Sequence, residues 1–195
     1  MSSLVVGGDG RARCAWSGSD AEYQRYHDEE WGTALHGDRP LFEKLSLEGF
    51  QAGLSWITIL RRRPTFRTAF ADFDIDAVAV FGPADVERLM NDPGIIRNRA
   101  KVEATISNAR ITQELVAGSP GALDALLWGF APPARVAAPA SFAEIPAVTP
   151  ESTAASKALK KLGYRFVGPT TIYALMQSSG MVDDHVYGCW RATAP

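Results

Sequence analysis

The segment DRPLFEKLSLEGFQA, Asp38 to Ala52, reads as one helix. Asp38 is a residue type that caps helices, and Pro40 falls in the first turn, where a missing N–H is tolerated. Leu41, Leu45, Glu48 and Ala52 follow at intervals of four, three and four residues, which puts them on one stripe. A carboxylate on an apolar stripe faces inward, and its burial is costly unless it is paired or used. The same spacing allows the opposite phase, with the inner face rotated and Glu48 in water.

On both sides the pattern stays helical. Pro64 can open a short helix at Thr65, and Asp74 another that ends near Gly82. Pro83 starts a segment with Val86, Leu89 and Met90, closed by Asn91, Asp92, Pro93 and Gly94. Val102, Ile106, Ala109 and Val116 then fall near helical spacing. The Ala- and Pro-rich segment from Ala131 to Pro150 reads as a loop over the surface. Pro150 begins a helix that Gly163 ends, and Pro169 begins another with Gly180 after it. Strand-type alternation and internal repeats are not evident. The expectation is an all-α chain forming a single unit over residues 1–195.

Hydrophobic residues at 46% and charged residues at 22% suit a globular chain with a sizeable core. No apolar run approaches the ~20 residues of a membrane-spanning helix, so no membrane partner is expected. Met1 to Arg13 lacks the apolar run of a secretory leader, which points to a cytoplasmic protein, and a monomer is expected. The net charge of −2 argues against a uniformly basic nucleic-acid binder, although partners respond to local charge. Basic residues gather at Arg61, Arg62, Arg63 and Arg67, at Arg97, Arg99 and Lys101, and at Lys157, Lys160, Lys161 and Arg165. Asp28, Glu29 and Glu30 gather elsewhere. Such separation suits one nucleic-acid-facing side, or simply solvated helix faces.

The chain has two cysteines and three histidines, and each cysteine has a histidine nearby: Cys14 with His27, and Cys189 with His185. His185 and Cys189 are four residues apart, so on a helix both would point to one side. Two thiolates and two imidazoles fill a tetrahedral zinc site and leave no open position for activated water, which makes such a site structural. The other reading is two hydrogen-bonded histidines with two buried or disulfide-linked cysteines, although disulfides are rare in the cytosol.

Trp16, Tyr23, Tyr26 and Trp31 surround the first Cys–His pair, and Trp56 follows Glu48. They read either as core or as flat faces on which an extruded base could stack, with a carboxylate to read its edge. A cationic base would gain ~0.5–2 kcal/mol per ring contact. Between two helical patterns, Asn91 to Ile96 break the chain ahead of Arg97, Arg99 and Lys101. This is either a plain turn or a helix start whose free N–H groups meet phosphate.

Read together, these residues resemble the type I DNA-3-methyladenine glycosylase family. The resemblance rests on Arg13-Cys14-Ala15-Trp16, on Tyr26-His27-Asp28-Glu29-Glu30-Trp31-Gly32, and on Leu47-Glu48-Gly49-Phe50-Gln51-Ala52-Gly53-Leu54-Ser55-Trp56. It continues through Gly94-Ile95-Ile96-Arg97, Ser156-Lys157-Ala158-Leu159-Lys160-Lys161, Phe166-Val167-Gly168 and Asp184-His185-Val186-Tyr187-Gly188-Cys189. Phe50 stands where the family often has Gln. The resemblance implies an all-α helix-hairpin-helix glycosylase with its hairpin at about 83–117. It further implies one structural zinc per chain, held by Cys14, His27, His185 and Cys189 in a lobe formed by 11–32 and 183–191. Glu48 takes the family's catalytic, base-reading position. Tyr26 and Trp56 stack, and Trp16, Tyr23 and Trp31 complete the pocket. Gly53 and Leu54 form the wedge into DNA, and Gly94, Ile95, Arg97 and Lys101 are the expected contacts on its backbone.

The implied activity is base excision repair. The N-glycosidic bond of 3-methyladenine, and in a broader range 3-methylguanine, would be hydrolysed in double-stranded alkylated DNA, releasing the free base without a lyase step. No Asp lies between Pro93 and Leu123, only Glu103 and Glu114. That suits a base already cationic and needing little acid help to leave.

Overall fold

A computed structural model describes residues 2–193, so of the unit expected over 1–195 only residues 1, 194 and 195 lie outside the description. Its first element departs from an all-α chain. Strand β1 (Leu4–Val6) pairs antiparallel with β2 (Ala12–Cys14), Leu4 lying opposite Cys14. Three-residue strands are too short for alternation to be read, and the Gly-rich turn between them masks the rest. The chain is mostly, not wholly, helical.

Helix α1 (Ala21–Glu29) begins at Asp20, whose carboxylate accepts from the Tyr23 N–H. Helix α2 (Asp38–Gln51) follows, then α3 (Trp56–Ala69) and the short α4 (Ile75–Ala79), capped by Asp74 on the Ala77 N–H. A turn of residues 92–98 joins α5 (Pro83–Asn91) to α6 (Arg99–Ala117). After α7 (Ala122–Trp128), the chain runs through a long loop to α8 (Pro150–Lys161) and α9 (Pro169–Ser178). Among the described residues, no helix is long and apolar enough to cross a membrane.

Two expected boundaries move. Pro64 does not open a helix; it sits inside α3, which starts at Trp56. The lost hydrogen bond and ring clash, roughly 3 kcal/mol, are offset by core contacts on both sides, from Ile59, Leu60 and Phe66. Asp38 does not cap its own helix, which Gly37 precedes. Its carboxylate instead accepts from the N–H groups of Gly121, Leu123 and Asp124 at 2.6, 2.9 and 3.1 Å, capping α7. Asp124 returns the favour by accepting from the Gly37 N–H. The two helix starts thus satisfy each other's orphan donors.

Helix α2 is the centre of the molecule. α3, α6, α7 and α9 all pack on it, and every residue from Lys44 to Phe50 is buried. Glu48 is therefore inside whatever phase a stripe suggests. Phe50 is fully enclosed, its ring 4.7 Å from Phe66 and 5.8 Å from Phe70. The family's frequent polar residue is replaced here by an apolar one in the core.

Candidate active site and metal centre

Helix α1 presents Tyr23 and Tyr26 to a cavity of about 280 Å³ beside the inner end of α2. Trp16 enters from the turn before α1, Trp31 from the turn after it, and Trp56 from the first position of α3. Glu48 lies in the cavity wall, so all six residues expected around a ligand meet in one place. The rings form a continuous lining: Trp16 lies 4.9 Å from Tyr23 and 5.1 Å from Trp31, and Tyr26 lies 5.5 Å from Trp56.

The end of α2, helix α9 and the long loop complete the wall with residues that sequence reasoning missed. Gln51, Ala174, Gln177, Ser178, Phe142 and Ile145 all line the cavity. Phe142 and Ile145 are the large apolar residues in the middle of the Ala–Pro segment, and their size was the available clue that this loop is not all surface. For Ser178 the chain offers no clue, because its partner is Glu48, 130 positions earlier: the Ser178 hydroxyl donates to Glu48 Oε1 at 2.9 Å.

Glu48 is 3% exposed. Burial disfavours its charged form and pushes its pKa up to about 7, against the pull of Lys44 and the Ser178 hydrogen bond. Burial, with the Glu48 charge adding to it, likewise raises Tyr23 and Tyr26 and keeps both phenols neutral. A carboxylate that ionises near neutrality, set among aromatic faces, can accept hydrogen bonds from a flat ligand and favour a positive charge on it.

The chain ends meet beside this cavity. Cys14, His27 and Cys189 are buried, and their ligating atoms lie within 4.8 Å of one another, so these three could hold a metal ion. Both cysteines are free thiols, which removes the disulfide reading. The Cys189 thiol is lowered by the hydrogen bond from Cys14 and, against the cost of burial, by His27. His27 Nδ1 meets Asp28 at 2.8 Å, leaving Nε2 turned to Cys189 Sγ at 3.3 Å. His185 is built the same way. Its Nδ1 meets Asp183 at 2.8 Å, while its Nε2 is buried with no hydrogen-bond partner, and its ring lies 5.0 Å from that of His27. A carboxylate behind each imidazole at Nδ1, with Nε2 turned inward, is how metal-binding histidines are oriented. The donor set fits a metal.

His185 and Cys189 do not share a helix, as their spacing had suggested; residues 183–190 form an irregular turn with Gly188 at φ 84°. Close approach is achieved elsewhere, at Gly32, where φ is 73° and a Cβ would lie 2.6 Å from the His185 ring.

The residues expected on a nucleic-acid face divide. Gly53 and Leu54 are exposed in the turn between α2 and α3, and Arg97 is exposed ahead of α6. Ile95 is buried, and Gly94, half-buried, already donates its N–H to Asp92 at 2.7 Å. Lys101 is a correction. It is buried, and its Nζ donates to the carbonyls of Phe50 and Ala52 at 2.8 and 2.7 Å, neutralising the open end of α2 rather than facing solvent. The first basic cluster is also not a free patch: Arg61 pairs with Asp20, Arg63 with Glu30 and Arg67 with Glu43. In sequence those acids are distant, so the charge separation seen along the chain does not survive folding.

Fold and cavity define a mostly helical protein with an aromatic-lined cavity walled on one side by a buried carboxylate. The sequence profile described as methyladenine glycosylase matches residues 16–192. The protein named DNA-3-methyladenine glycosylase 1 from Escherichia coli K12 is 46% identical over 178 residues, 91% of this chain and 95% of that one. Among solved structures, a crystal structure of 3-methyladenine DNA glycosylase I superposes with a TM-score of 0.88 at 44% identity, covering 94% of this chain and all of that one. The Staphylococcus aureus enzyme, solved to explain its recognition of 3-methyladenine, gives 0.84 at 33% identity over 91% of this chain and 94% of its own. The chain belongs to the methyladenine glycosylase family.

Proposed function

We propose that this chain is a monofunctional DNA glycosylase of base excision repair that hydrolyses the N-glycosidic bond of 3-methyladenine in double-stranded alkylated DNA. The observation that carries this reading is Glu48, buried and ionising near neutrality in an aromatic-lined cavity sized for a purine. The extruded base stacks on Tyr26 and Trp56, and Glu48 accepts its N–H groups. The wedge is the exposed pair Gly53 and Leu54, and Arg97 with the turn ahead of α6 meets the DNA backbone, α5 and α6 serving as the helix-hairpin-helix element.

Methylation at N3 makes the base cationic and a good leaving group. As its bond to the sugar C1′ breaks, the bonding electrons stay with the base, which departs neutral, and positive charge builds on the sugar. A water oxygen then bonds to C1′ and loses a proton to solvent. Stacking on the cation stabilises the starting state at least as much as the transition state, so the rings select the base more than they speed its release. No lyase step is expected of Lys101, whose Nζ is held by two carbonyls.

Cys14, His27 and Cys189, with His185 as the fourth ligand, would hold one zinc ion that would cross-link the chain ends and take no part in the reaction. The activity test is incubation with methylated duplex DNA and chromatography of the released bases. 3-Methyladenine is released by the wild type; Glu48→Ala keeps its fold and loses at least tenfold in affinity for the free base. Retention of DNA without release would make the chain a damage binder instead.

A further inference from the structure

Resting on that reading of the pocket, one buried group is left without a task. Lys44 is 7% exposed and stands one helical turn before Glu48, on the same helix. Its Nζ lies 5.2 Å from the centre of the Tyr26 ring and 5.6 Å from that of Trp56, the two rings assigned to stacking. It makes no contact ion pair with Glu48, whose Oε1 is taken by Ser178.

Lys44 also opens on a different space. A second cavity, about 190 Å³, lies behind the base pocket and is lined by Lys44, Glu30, Glu43, Arg63, Arg67 and Ser178 among others. Ser178 borders both cavities. Lys44 and Glu48 are thus opposite charges on one buried turn, facing separate cavities through the same wall of aromatic rings.

We propose that Lys44 is a positioning residue that favours the ionised form of Glu48 in the empty pocket, so that more of the carboxylate is ready to accept the N–H groups of the base. Charges one turn apart in an interior of low polarity interact strongly without touching. The other groups around Glu48 do not do this work. Tyr23 and Tyr26 of α1 are neutral phenols, Ser178 and Gln177 of α9 are uncharged, and Asp184, beyond Gln177, is paired with Arg135. Glu30 and Arg63 neutralise each other across the second cavity. Lys101 of α6 stands near the same end of α2 as Glu48, but its ammonium is taken up by the Phe50 and Ala52 carbonyls and makes no ion pair with the carboxylate. Lys44 remains as the cation without a contact ion pair; burial lowers its pKa, and Glu48, Glu30 and Glu43 oppose that in part, although Glu30 and Glu43 are already paired with Arg63 and Arg67.

The position of the ammonium has a second effect. A cation already over Tyr26 and Trp56 uses part of the attraction these rings would offer a cationic base. Selection of the base then leans on the carboxylate more than on the rings.

The test compares wild type with Lys44→Met, which keeps an unbranched, helix-favouring side chain, and Lys44→Arg, which keeps the charge. The carboxyl carbon of Glu48 is followed by NMR as a function of pH in each, its signal identified by its absence in Glu48→Gln. Lys44→Met is expected to raise the Glu48 midpoint by at least one pH unit and to weaken free 3-methyladenine binding at pH 7 by threefold or more. Binding should recover as pH is raised, and Lys44→Arg should match the wild type in both readouts. A midpoint unchanged in a folded Lys44→Met protein overturns the role given to Lys44. Failure of the wild type to bind 3-methyladenine overturns the pocket reading instead, and leaves the midpoint comparison to decide the coupling separately.

Discussion

Glu48 shows what one residue contributes and what it costs. Its ordinary pKa is 4.5 and in the folded chain it is pushed up to about 7, so the folded state holds the proton more tightly than the unfolded one. Between those values the folded protein carries more protons, and stability falls as pH rises through the window and stays lower above it. A shift of this size is worth about 3 kcal/mol for a wholly buried group. Glu48→Gln removes the penalty. Its stability relative to wild type, measured by urea unfolding at pH 5 and pH 8, should improve by an amount of that order at the higher pH; a constant difference would mean that Glu48 does not titrate there. At this scale the chain was largely legible. The burial of Glu48 can be suspected from its apolar neighbours, but α2 is buried on nearly every side, whichever stripe is drawn along it. Lys101 went astray because a lysine beside two arginines looks like surface, and only the fold brings it to the end of α2.

Helices whose starts carry proline after a capping residue or glycine, namely α5, α8 and α9, were readable from local chemistry. The failures were non-local. Pro64 survives inside α3 because core contacts outweigh one lost hydrogen bond, and Asp38 left its own helix to cap α7, some eighty residues away. Asp38→Ala would strip three N–H groups of their acceptor at the start of α7. The expected cost is about 1–2 kcal/mol, seen as a lower urea midpoint with an unchanged slope. A change below about 0.3 kcal/mol would show that water replaces the carboxylate at no cost.

Across the whole molecule, the pocket takes its walls from the N-terminal turn, from α1 to α3, from the long loop and from α9. The near walls were visible in sequence because aromatic residues cluster there. The far walls were less so: nothing local marks Ser178 as the partner of Glu48, and at Phe142 and Ile145 the mark is only their size. The proposed zinc has its effect at this scale too. Stripping metal with a chelator should lower the melting temperature by several degrees, and mass spectrometry of the untreated protein should find about one zinc per chain. An unchanged melting curve after complete removal would eliminate the cross-link as a source of stability.

Trp16 lies 5.3 Å from the His27 ring, and Trp31 stands edge-on to His185 at 4.6 Å. Two panels of the aromatic cavity therefore rest directly on imidazoles of the proposed zinc site. Oxidative injury to either thiol, far from any nucleotide, would first be felt as blunted discrimination between damaged and intact purines, well before the protein comes apart.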